Sequence, residues 1–190
     1  MSSDETSAAR RALLIRGISL CVAAAGTRIA LAGPSGEQGD EPVRVEEFDA
    51  AGKSRGPVTL PKVVKSDSDW RRQLSPEAFI VTRQAGTERP YSGKYERNHA
   101  DGLYRCICCD TALFDSRTKF DSGTGWPSFF RAISKLNVVT TVDRSLGMER
   151  EAVSCHLCDA HLGHVFNDGP QPTGLRYCMN SVALNFIARA

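Results

Sequence analysis

The sequence predicts a mainly β fold built from antiparallel strands, with two short helices in front of them. After Gly86, short runs rich in Val, Ile, Phe, Tyr and Thr alternate with Gly, Pro, Asp and Asn, a pattern typical of short strands joined by turns. Before Gly86, two serines each stand at the start of a helix-like run. The chain has 190 residues, of which 41% are hydrophobic and 24% charged. That is enough for one hydrophobic core but not for two full domains.

Residues 1–32 have the layout of a cleavable export signal. Arg10 and Arg11 precede two apolar runs, and the small-residue sequence at 30–32 suits a cleavage site. Residues 9–16 resemble the twin-arginine export signal of bacteria. The apolar runs are too short and too interrupted by Arg and Gly to span a membrane. We therefore expect an exported, periplasmic protein without stable membrane insertion; the alternative is an ordinary amphipathic or buried helix at the N-terminus.

The basic excess of the chain lies in this signal. The whole sequence carries a net charge of +2, but residues 1–32 hold four arginines and two acids, so residues 33–190 have 20 basic and 20 acidic residues. They also keep six of the seven cysteines, because Cys21 lies in the signal. A neutral chain lacks the field of Lys and Arg that attracts phosphates, so we expect no nucleic-acid partner.

Residues 33–65 are interpreted as a linker and N-terminal extension, and residues 66–190 as the main domain. The extension begins with a stretch rich in Gly, Pro, Ser and acidic residues, which is the composition of a flexible linker. Apolar residues within 43–48 and 58–60, on either side of a turn at 49–52, predict a two-stranded hairpin. The alternative is a solvated extension that packs loosely on the domain.

Two short helices are predicted at the start of the domain. The first begins after Ser66 or Ser68 and runs through Leu74, and the second has Ser75 as its N-cap and ends at 85–86. Serine suits these positions because its hydroxyl accepts a hydrogen bond from a free N–H of the first turn. The strands that follow are predicted at 104–107, 112–114, 138–142, 152–154, 162–166, 175–179 and 182–187.

Four cysteines have the spacing of a metal site. Cys106 and Cys109 are separated by two residues, and so are Cys155 and Cys158. This spacing lets both thiolates of a pair reach one ion at about 2.3 Å, and two pairs complete a closed tetrahedral shell. We expect one structural zinc ion, with the sheet bringing the pairs together across the 45 residues between them. The alternatives are a disulfide across each pair and iron in a rubredoxin-like site.

Cys178 lies outside both pairs and is the candidate nucleophile. Arg176 and Asn180 stand two residues before and after it, so the three side chains would share one face of a strand. His161 and His164 lie upstream, and such cationic and hydrogen-bonding neighbours lower the pKa of a thiol. The histidines could also be read as zinc ligands, but the four cysteines already fill the shell. The alternative for Cys178 is a small buried hydrophobic residue.

Three sequence blocks carry a family resemblance. Residues 121–129 (DSGTGWPSF), 161–170 (HLGHVFNDGP) and 174–181 (GLRYCMNS) resemble, in order and spacing, the signature blocks of the B-type methionine-R-sulfoxide reductases. The match extends over residues 70–187, about two thirds of the chain, and includes both cysteine pairs. The resemblance implies two antiparallel sheets in the β-tent arrangement and the reduction of methionine-R-sulfoxide, free or in proteins, to methionine.

The resemblance also implies the roles of the reacting groups. Cys178 would attack the sulfur of the sulfoxide and become a sulfenic acid. His164, with help from His161, would protonate the sulfoxide oxygen, because a residue that titrates near neutrality can give up a proton there. Asn180 matches a position that orients the acid or the polar end of the substrate.

Three further residues match substrate-binding positions of the family. Trp126 corresponds to the indole that packs on the methyl group of the substrate and helps to select one epimer. Asp168 matches a position that orients polar groups, and Arg176 one that stabilises the thiolate. Each of these roles is what the resemblance implies for this chain.

The chain departs from many family members at Thr124. Those members carry a second cysteine there, which attacks the sulfenic acid and forms a disulfide. With no cysteine at this position, we expect an external thiol reductant, thioredoxin-like or other, to reduce Cys178; the alternative is that Cys108 resolves the sulfenic acid. We expect a monomer.

Two other classes of protein would use the same cysteine pairs. A zinc-ribbon module could bind nucleic acid, although the neutral charge of residues 33–190 gives little attraction to phosphates. A secreted domain could hold zinc for stability alone, with Cys178 as a packing residue. Only the enzyme requires Cys178 to react.

Overall fold

The computed structural model describes residues 41–189, except for the side chain of Leu146. The predicted signal at 1–32 and the first part of the predicted linker lie outside these residues. Within them, eleven strands form three antiparallel sheets, and two α-helices stand between the second and third strands. Neither helix in this range is long and apolar enough to cross a membrane. The predicted mainly β class is confirmed.

The predicted hairpin is present at the start of the described chain. Strand β1 (Val43–Phe48) pairs with β2 (Ser54–Leu60). Val45 is only 3% exposed and belongs to the main core. The amide of Asn137 accepts from the N–H of Glu46 at 2.7 Å and donates to its carbonyl at 2.8 Å. The hairpin is therefore fastened to the domain rather than loosely packed on it.

The two predicted helices start at the predicted serines. Helix α1 spans Asp67–Gln73 and α2 spans Pro76–Arg83. The hydroxyl of Ser66 accepts from the N–H of Asp69, and that of Ser75 accepts from the N–H of Ala78, each at 3.2 Å. These caps supply partners for first-turn N–H groups that no carbonyl of the helix can reach.

Nine further strands form two sheets. Their bounds are β3 (Gly102–Cys106), β4 (Ala112–Asp115), β5 (Lys119–Phe120), β6 (Ser128–Phe129), β7 (Val138–Asp143), β8 (Arg150–Cys155), β9 (His161–Phe166), β10 (Arg176–Met179) and β11 (Leu184–Ala188). The larger sheet has the order β5-β6-β10-β9-β8-β7 and the smaller has the order β11-β3-β4. The two-sheet expectation is thus confirmed for the main domain.

All seven predicted strands are found. One of them begins later than predicted, and the structure has two further strands. The last strand begins at Leu184 because Ser181–Ala183 forms a 3₁₀ turn before it. The sequence missed β5 and β6, which have two residues each and are too short to show an alternating pattern.

Aromatic side chains join the two sheets. Phe114 on β4 stacks on Phe129 on β6, with ring centroids 4.5 Å apart, and Tyr104 on β3 meets the same ring edge-on at 4.9 Å. Tyr177 on β10 packs against Phe114 at 5.7 Å. Because alternate residues of a strand face opposite sides, Tyr177 turns toward this core and Cys178 turns away from it. The core thus holds β10 in place behind Cys178.

Candidate active site

Four cysteine sulfurs meet where the turns after β3 and β8 approach each other. The Sγ atoms of Cys106, Cys109, Cys155 and Cys158 all lie within 4.8 Å of one another. The Cys106–Cys158 and Cys109–Cys155 sulfur pairs are each 3.6 Å apart. Sulfurs placed tetrahedrally at about 2.3 Å from one ion would be about 3.8 Å apart. The cluster therefore fits one four-coordinate metal ion, as the spacing predicts.

The two cysteine pairs lie on turns of the same kind. The N–H of Asp110 donates to the carbonyl of Cys106, and the N–H of Asp159 donates to that of Cys155, both at 2.9 Å. Both aspartates have a positive φ, 62° and 56°, which Asp tolerates better than most residues. All six cysteines in the described part of the chain are free thiols. The four sulfurs thus converge on one point, the arrangement of a shared ion, and are not joined as a disulfide across each pair.

Cys178 lies at a cavity of about 140 Å³. On β10 it stands opposite His164 of β9 and Ser128 of β6. The close approach of β9 depends on Gly163, where a Cβ would lie 2.1 Å from the carbonyl oxygen of Cys178. The residues that line the cavity are Thr87, Trp126, Arg150, Gly163, His164, Phe166, Cys178 and Asn180.

The structure brings four of the seven predicted active-site residues to this cavity. They are Cys178, His164, Asn180 and Trp126. The other three, His161, Arg176 and Asp168, do not line it. The candidate nucleophile and the candidate acid thus share one small, half-open space with an indole wall.

His164 is held by a carboxylate that the sequence did not single out. Its Nε2 lies 2.8 Å from Oδ2 of Asp143, and Arg150 donates to the same oxygen at 2.7 Å. Hydrogen bonds from the hydroxyl and N–H of Ser145, together with that from His164, hold the pKa of the Asp143 carboxyl well below its usual range. Asp143 is therefore a carboxylate at neutral pH, and its contact with Nε2 fixes the orientation of the His164 ring.

We expect Asp143→Asn to reduce activity by about tenfold, a part of the roughly 10²–10⁴-fold that a general acid supplies. The substitution keeps the size of the side chain but removes the carboxylate that holds the ring of His164. Steady-state kinetics measure the loss. Glu149→Gln is the matched control, since it removes an exposed carboxylate that pairs with Arg144 in the same loop; equal effects in both variants would contradict the role of Asp143.

His161 is a buried neighbour of His164 rather than a second group at the cavity. It is 7% exposed, and its ring meets that of His164 edge-on with centroids 5.3 Å apart. Burial, followed by the nearby His164, lowers the pKa of His161 to about 4. Its imidazole is neutral at physiological pH. It therefore supports the position of His164 and lacks the second ring proton that an imidazolium acid would give up.

Asn180 and Trp126 are tied to one buried residue, Glu88. The N–H of Glu88 donates to Oδ1 of Asn180 at 2.9 Å, and its carbonyl accepts from Nε1 of Trp126 at 3.2 Å. Its carboxylate accepts from the N–H groups of Ser181 and Val182 at 2.7 and 2.9 Å. Burial raises the pKa of this carboxyl, although those hydrogen bonds oppose the rise. Glu88 thus fixes two walls of the cavity relative to each other.

Arg176 and Asp168 form a pair beside the cavity. Nε and a terminal nitrogen of Arg176 donate to the two oxygens of Asp168 at 2.9 and 2.8 Å. The guanidinium carbon also lies 4.4 Å from the ring centroid of Phe166. The predicted common face is found only in part, because Asn180 follows the end of β10 and lines the cavity whereas Arg176 does not. Asp168 therefore positions Arg176, whose charge acts to lower the pKa of the Cys178 thiol.

The pKa of the Cys178 thiol is raised, against the expectation from its neighbours. Burial is the largest effect. The hydroxyl of Thr124, the charge of Arg176 and the hydroxyl of Ser128 each act to lower the pKa, as expected, but they do not outweigh burial. The sequence could not show how deeply the sulfur lies. Loss of its proton is thus a demanding step in the free protein.

Three residues of the site were missed by the sequence interpretation. Asp143 and Arg150 face each other across β7 and β8, and no motif marks them before that pairing is known. Glu88 stands in the stretch Gly86–Gly93 that belongs to the family resemblance, but no residue type there signals a buried carboxylate. Only the fold brings these groups to the cavity.

Comparison with known proteins places the chain among close relatives. Residues 74–188 match the SelR domain family. The chain is 58% identical over 127 residues to the peptide methionine sulfoxide reductase MsrB of Herminiimonas arsenicoxydans, which covers 67% of this chain and 93% of the relative. It is 55% identical over 131 residues to the peptide methionine sulfoxide reductase MsrB of Pseudomonas syringae, covering 69% of this chain and all of the relative. The Pseudomonas fluorescens protein of the same name is 55% identical over 130 residues, 68% of this chain and 99% of its own length.

Proposed function

The chain belongs to the SelR family of MsrB methionine sulfoxide reductases, and we infer from this that it reduces methionine-R-sulfoxide to methionine with Cys178 as the nucleophile. One observation carries the assignment of the residues. The sulfur of Cys178, the ring of His164 and the indole of Trp126 border the same cavity of about 140 Å³. A nucleophile, an acid and an apolar wall are the groups that this reaction requires.

The reaction moves one oxygen atom from substrate sulfur to enzyme sulfur. The Cys178 thiolate attacks the sulfoxide sulfur while His164 donates a proton to the sulfoxide oxygen. The attack forms a bond between the two sulfurs; the protonated oxygen then bonds to the Cys178 sulfur while the S–S bond and the S–O bond of the substrate break, so methionine leaves and Cys178 becomes a sulfenic acid. The substrate sulfur is reduced by two electrons and the cysteine sulfur is oxidised by two. The carboxylate of Asp143 holds the ring of His164 in place for this transfer.

The cavity of about 140 Å³ has room for one side chain. The side chain of methionine sulfoxide would enter with its methyl group on Trp126 and its oxygen toward His164. Because Trp126 and Asn180 are both tied to Glu88, the walls are rigid, which favours one epimer over the other.

We propose that an external thiol returns Cys178 to its reduced state. Thr124 lies next to Cys178, with its hydroxyl 3.8 Å from the sulfur, and a hydroxyl cannot form a disulfide. Cys108 is 4% exposed and its thiol lies among Cys106, Cys158 and Thr82, away from the cavity. A thioredoxin-like protein or a small thiol fits the role of reductant.

A single-turnover experiment tests the sulfenic acid and its reduction. Protein mixed with methionine-R-sulfoxide and no reductant should release one methionine per chain. Mass spectrometry with a sulfenic acid trap should find the label on Cys178. A Cys108–Cys178 disulfide as the main product would overturn external reduction, and an unmodified Cys178 after methionine release would overturn the assignment of the nucleophile.

We propose zinc as the ion of the four-cysteine cluster. Four thiolates in a closed tetrahedral set favour zinc, and a closed shell has no open position for substrate. Cys106, Cys109, Cys155 and Cys158 would hold it between the ends of β3 and β8. The ion would supply folding free energy and take no part in the reaction.

We also propose that the protein is exported to the periplasm and acts as a monomer. The twin-arginine layout of residues 1–32 supports export in the folded state. Zinc would then occupy the four thiolates before they meet an oxidising compartment. All groups named for the reaction come from one chain, which supports a monomer.

A further inference from the structure

Next to the candidate nucleophile lies a row of three hydroxyls that no step above uses. The Oγ atoms of Ser128 and Ser122 are 2.8 Å apart, and Ser122 Oγ is 2.8 Å from Oγ1 of Thr124. Oγ1 of Thr124 is in turn 3.8 Å from Sγ of Cys178. Three hydroxyls in hydrogen-bond contact thus end on the reacting sulfur.

We propose that Thr124 is a further catalytic residue, whose hydroxyl donates a hydrogen bond to the Cys178 thiolate at the end of this chain of hydroxyls. The proposal rests on the proposed role of Cys178 as nucleophile. Thr124 stands at the position where many family members carry a second cysteine. In this chain a hydroxyl that stabilises the Cys178 thiolate therefore replaces that second thiol.

The directions of the hydrogen bonds follow from the chemistry of the sulfur. A thiolate has no proton and can only accept, so the hydroxyl of Thr124 must be the donor. Oγ1 of Thr124 can then accept from Ser122, 2.8 Å away, and a donor polarised from behind in this way is a stronger one. The hydroxyl of Ser128 contacts Ser122 at 2.8 Å and the carbonyl of Trp126 at 3.2 Å, so its single proton serves one of the two.

Ser128 is well placed to anchor the chain. It is fully buried and pairs with Cys178 across β6 and β10. Ser122 also accepts from the N–H of Thr124 at 3.4 Å, which holds the loop in the shape that the contact needs. Thr124 therefore has a fixed direction of approach to the sulfur.

The hydrogen bond from Thr124 favours the thiolate form of Cys178, which the reaction needs. Burial works against the thiolate, and the hydrogen bond from Thr124 is the largest of the effects that oppose burial, ahead of the charge of Arg176. The charged and titratable groups near Cys178 are Arg176 on the same strand, His164 on β9 and Arg150 on β8. None of them is altered by a change at Thr124.

The test compares Thr124→Val with Thr124→Ser. Valine has nearly the shape of threonine but no hydroxyl, whereas serine keeps the hydroxyl. We measure the rate of alkylation of Cys178 by iodoacetamide against pH, with the labelled residue identified by mass spectrometry. For Thr124→Val we expect the titration to move up by about one pH unit and the rate at pH 8 to fall by about tenfold. Thr124→Ser should stay within about twofold of the unaltered protein, and so should the exposed control Thr140→Val.

The reductase activity should follow the same order. In Thr124→Val the reduction of methionine-R-sulfoxide at neutral pH should fall by about tenfold and recover as the pH is raised, because more of the sulfur is then ionised. A titration of Thr124→Val identical to that of the unaltered protein would overturn the proposal, and so would an equal shift in Thr124→Ser. Alkylation needs no sulfoxide, so an unaltered protein that alkylates normally but reduces no sulfoxide would refute the proposed function alone.

Discussion

Replacement of Cys178 by serine is expected to abolish reduction of methionine-R-sulfoxide, by at least about 10³-fold, and to leave the fold unchanged. Serine is close to cysteine in size, so the packing of β10 between β6 and β9 should persist. Its hydroxyl cannot take the oxygen from the sulfoxide and form the equivalent of a sulfenic acid. Turnover with a chemical thiol as reductant measures the loss.

The matched control for this experiment is Cys108→Ser. Cys108 is also a free, largely buried thiol, but it does not border the cavity. We expect Cys108→Ser to keep most of the activity. Measurable turnover in Cys178→Ser, or equal loss in both variants, would contradict the role given to Cys178. Retained metal in both proteins, measured by elemental analysis, shows that the comparison concerns chemistry and not folding.

Replacement of Cys155 by serine is expected to have the largest effect on stability. A structural zinc site contributes an apparent binding free energy of about 10–16 kcal/mol, which matches or exceeds the about 5–15 kcal/mol stability of a typical domain. Loss of even about 5 kcal/mol lowers the Tm of a chain of this size by about 10–20 °C. We expect a Tm lower by at least this amount, measured by circular dichroism, together with loss of bound zinc.

Cys108→Ser serves again as the control, because it changes a thiol in the same turn that is not one of the four clustered sulfurs. Its Tm should fall by only a few degrees. A strong chelator should lower the Tm of the unaltered protein toward that of Cys155→Ser. An unchanged Tm and full activity after removal of the metal would show that the cluster has no structural role.

The local features of this fold could be predicted from sequence because they depend on short stretches. Ser66 and Ser75 mark the starts of α1 and α2 through caps that act within three residues. The two Cys-x-x-Cys motifs predict a shared metal site because a pair of thiols two residues apart must converge. Cys178 stood out because it was the one thiol next to Arg and Asn at strand spacing.

The residues of the site that the sequence did not predict depend on contacts between distant parts of the chain. Asp143, at the end of β7, reaches His164 of β9 across β8, which lies between the two strands in the larger sheet. Glu88 connects Trp126 and Asn180 across more than 30 and 90 positions of the chain respectively. The pKa of Cys178 was expected to fall, but burial, which the fold alone determines, raises it. Sequence motifs thus identified the reacting groups, and the fold supplied the residues that position them.

The most direct test of the central claim is to offer the protein each sulfoxide epimer of a blocked methionine separately, with a chemical thiol as reductant. We expect turnover of the R epimer, with the S epimer reduced slowly or not at all, because rigid walls around Cys178 leave one orientation of methyl group and oxygen. Methionine formation is measured by chromatography. Turnover of the S epimer alone, or of neither epimer by a folded protein that holds its metal, would contradict the assignment as a methionine-R-sulfoxide reductase.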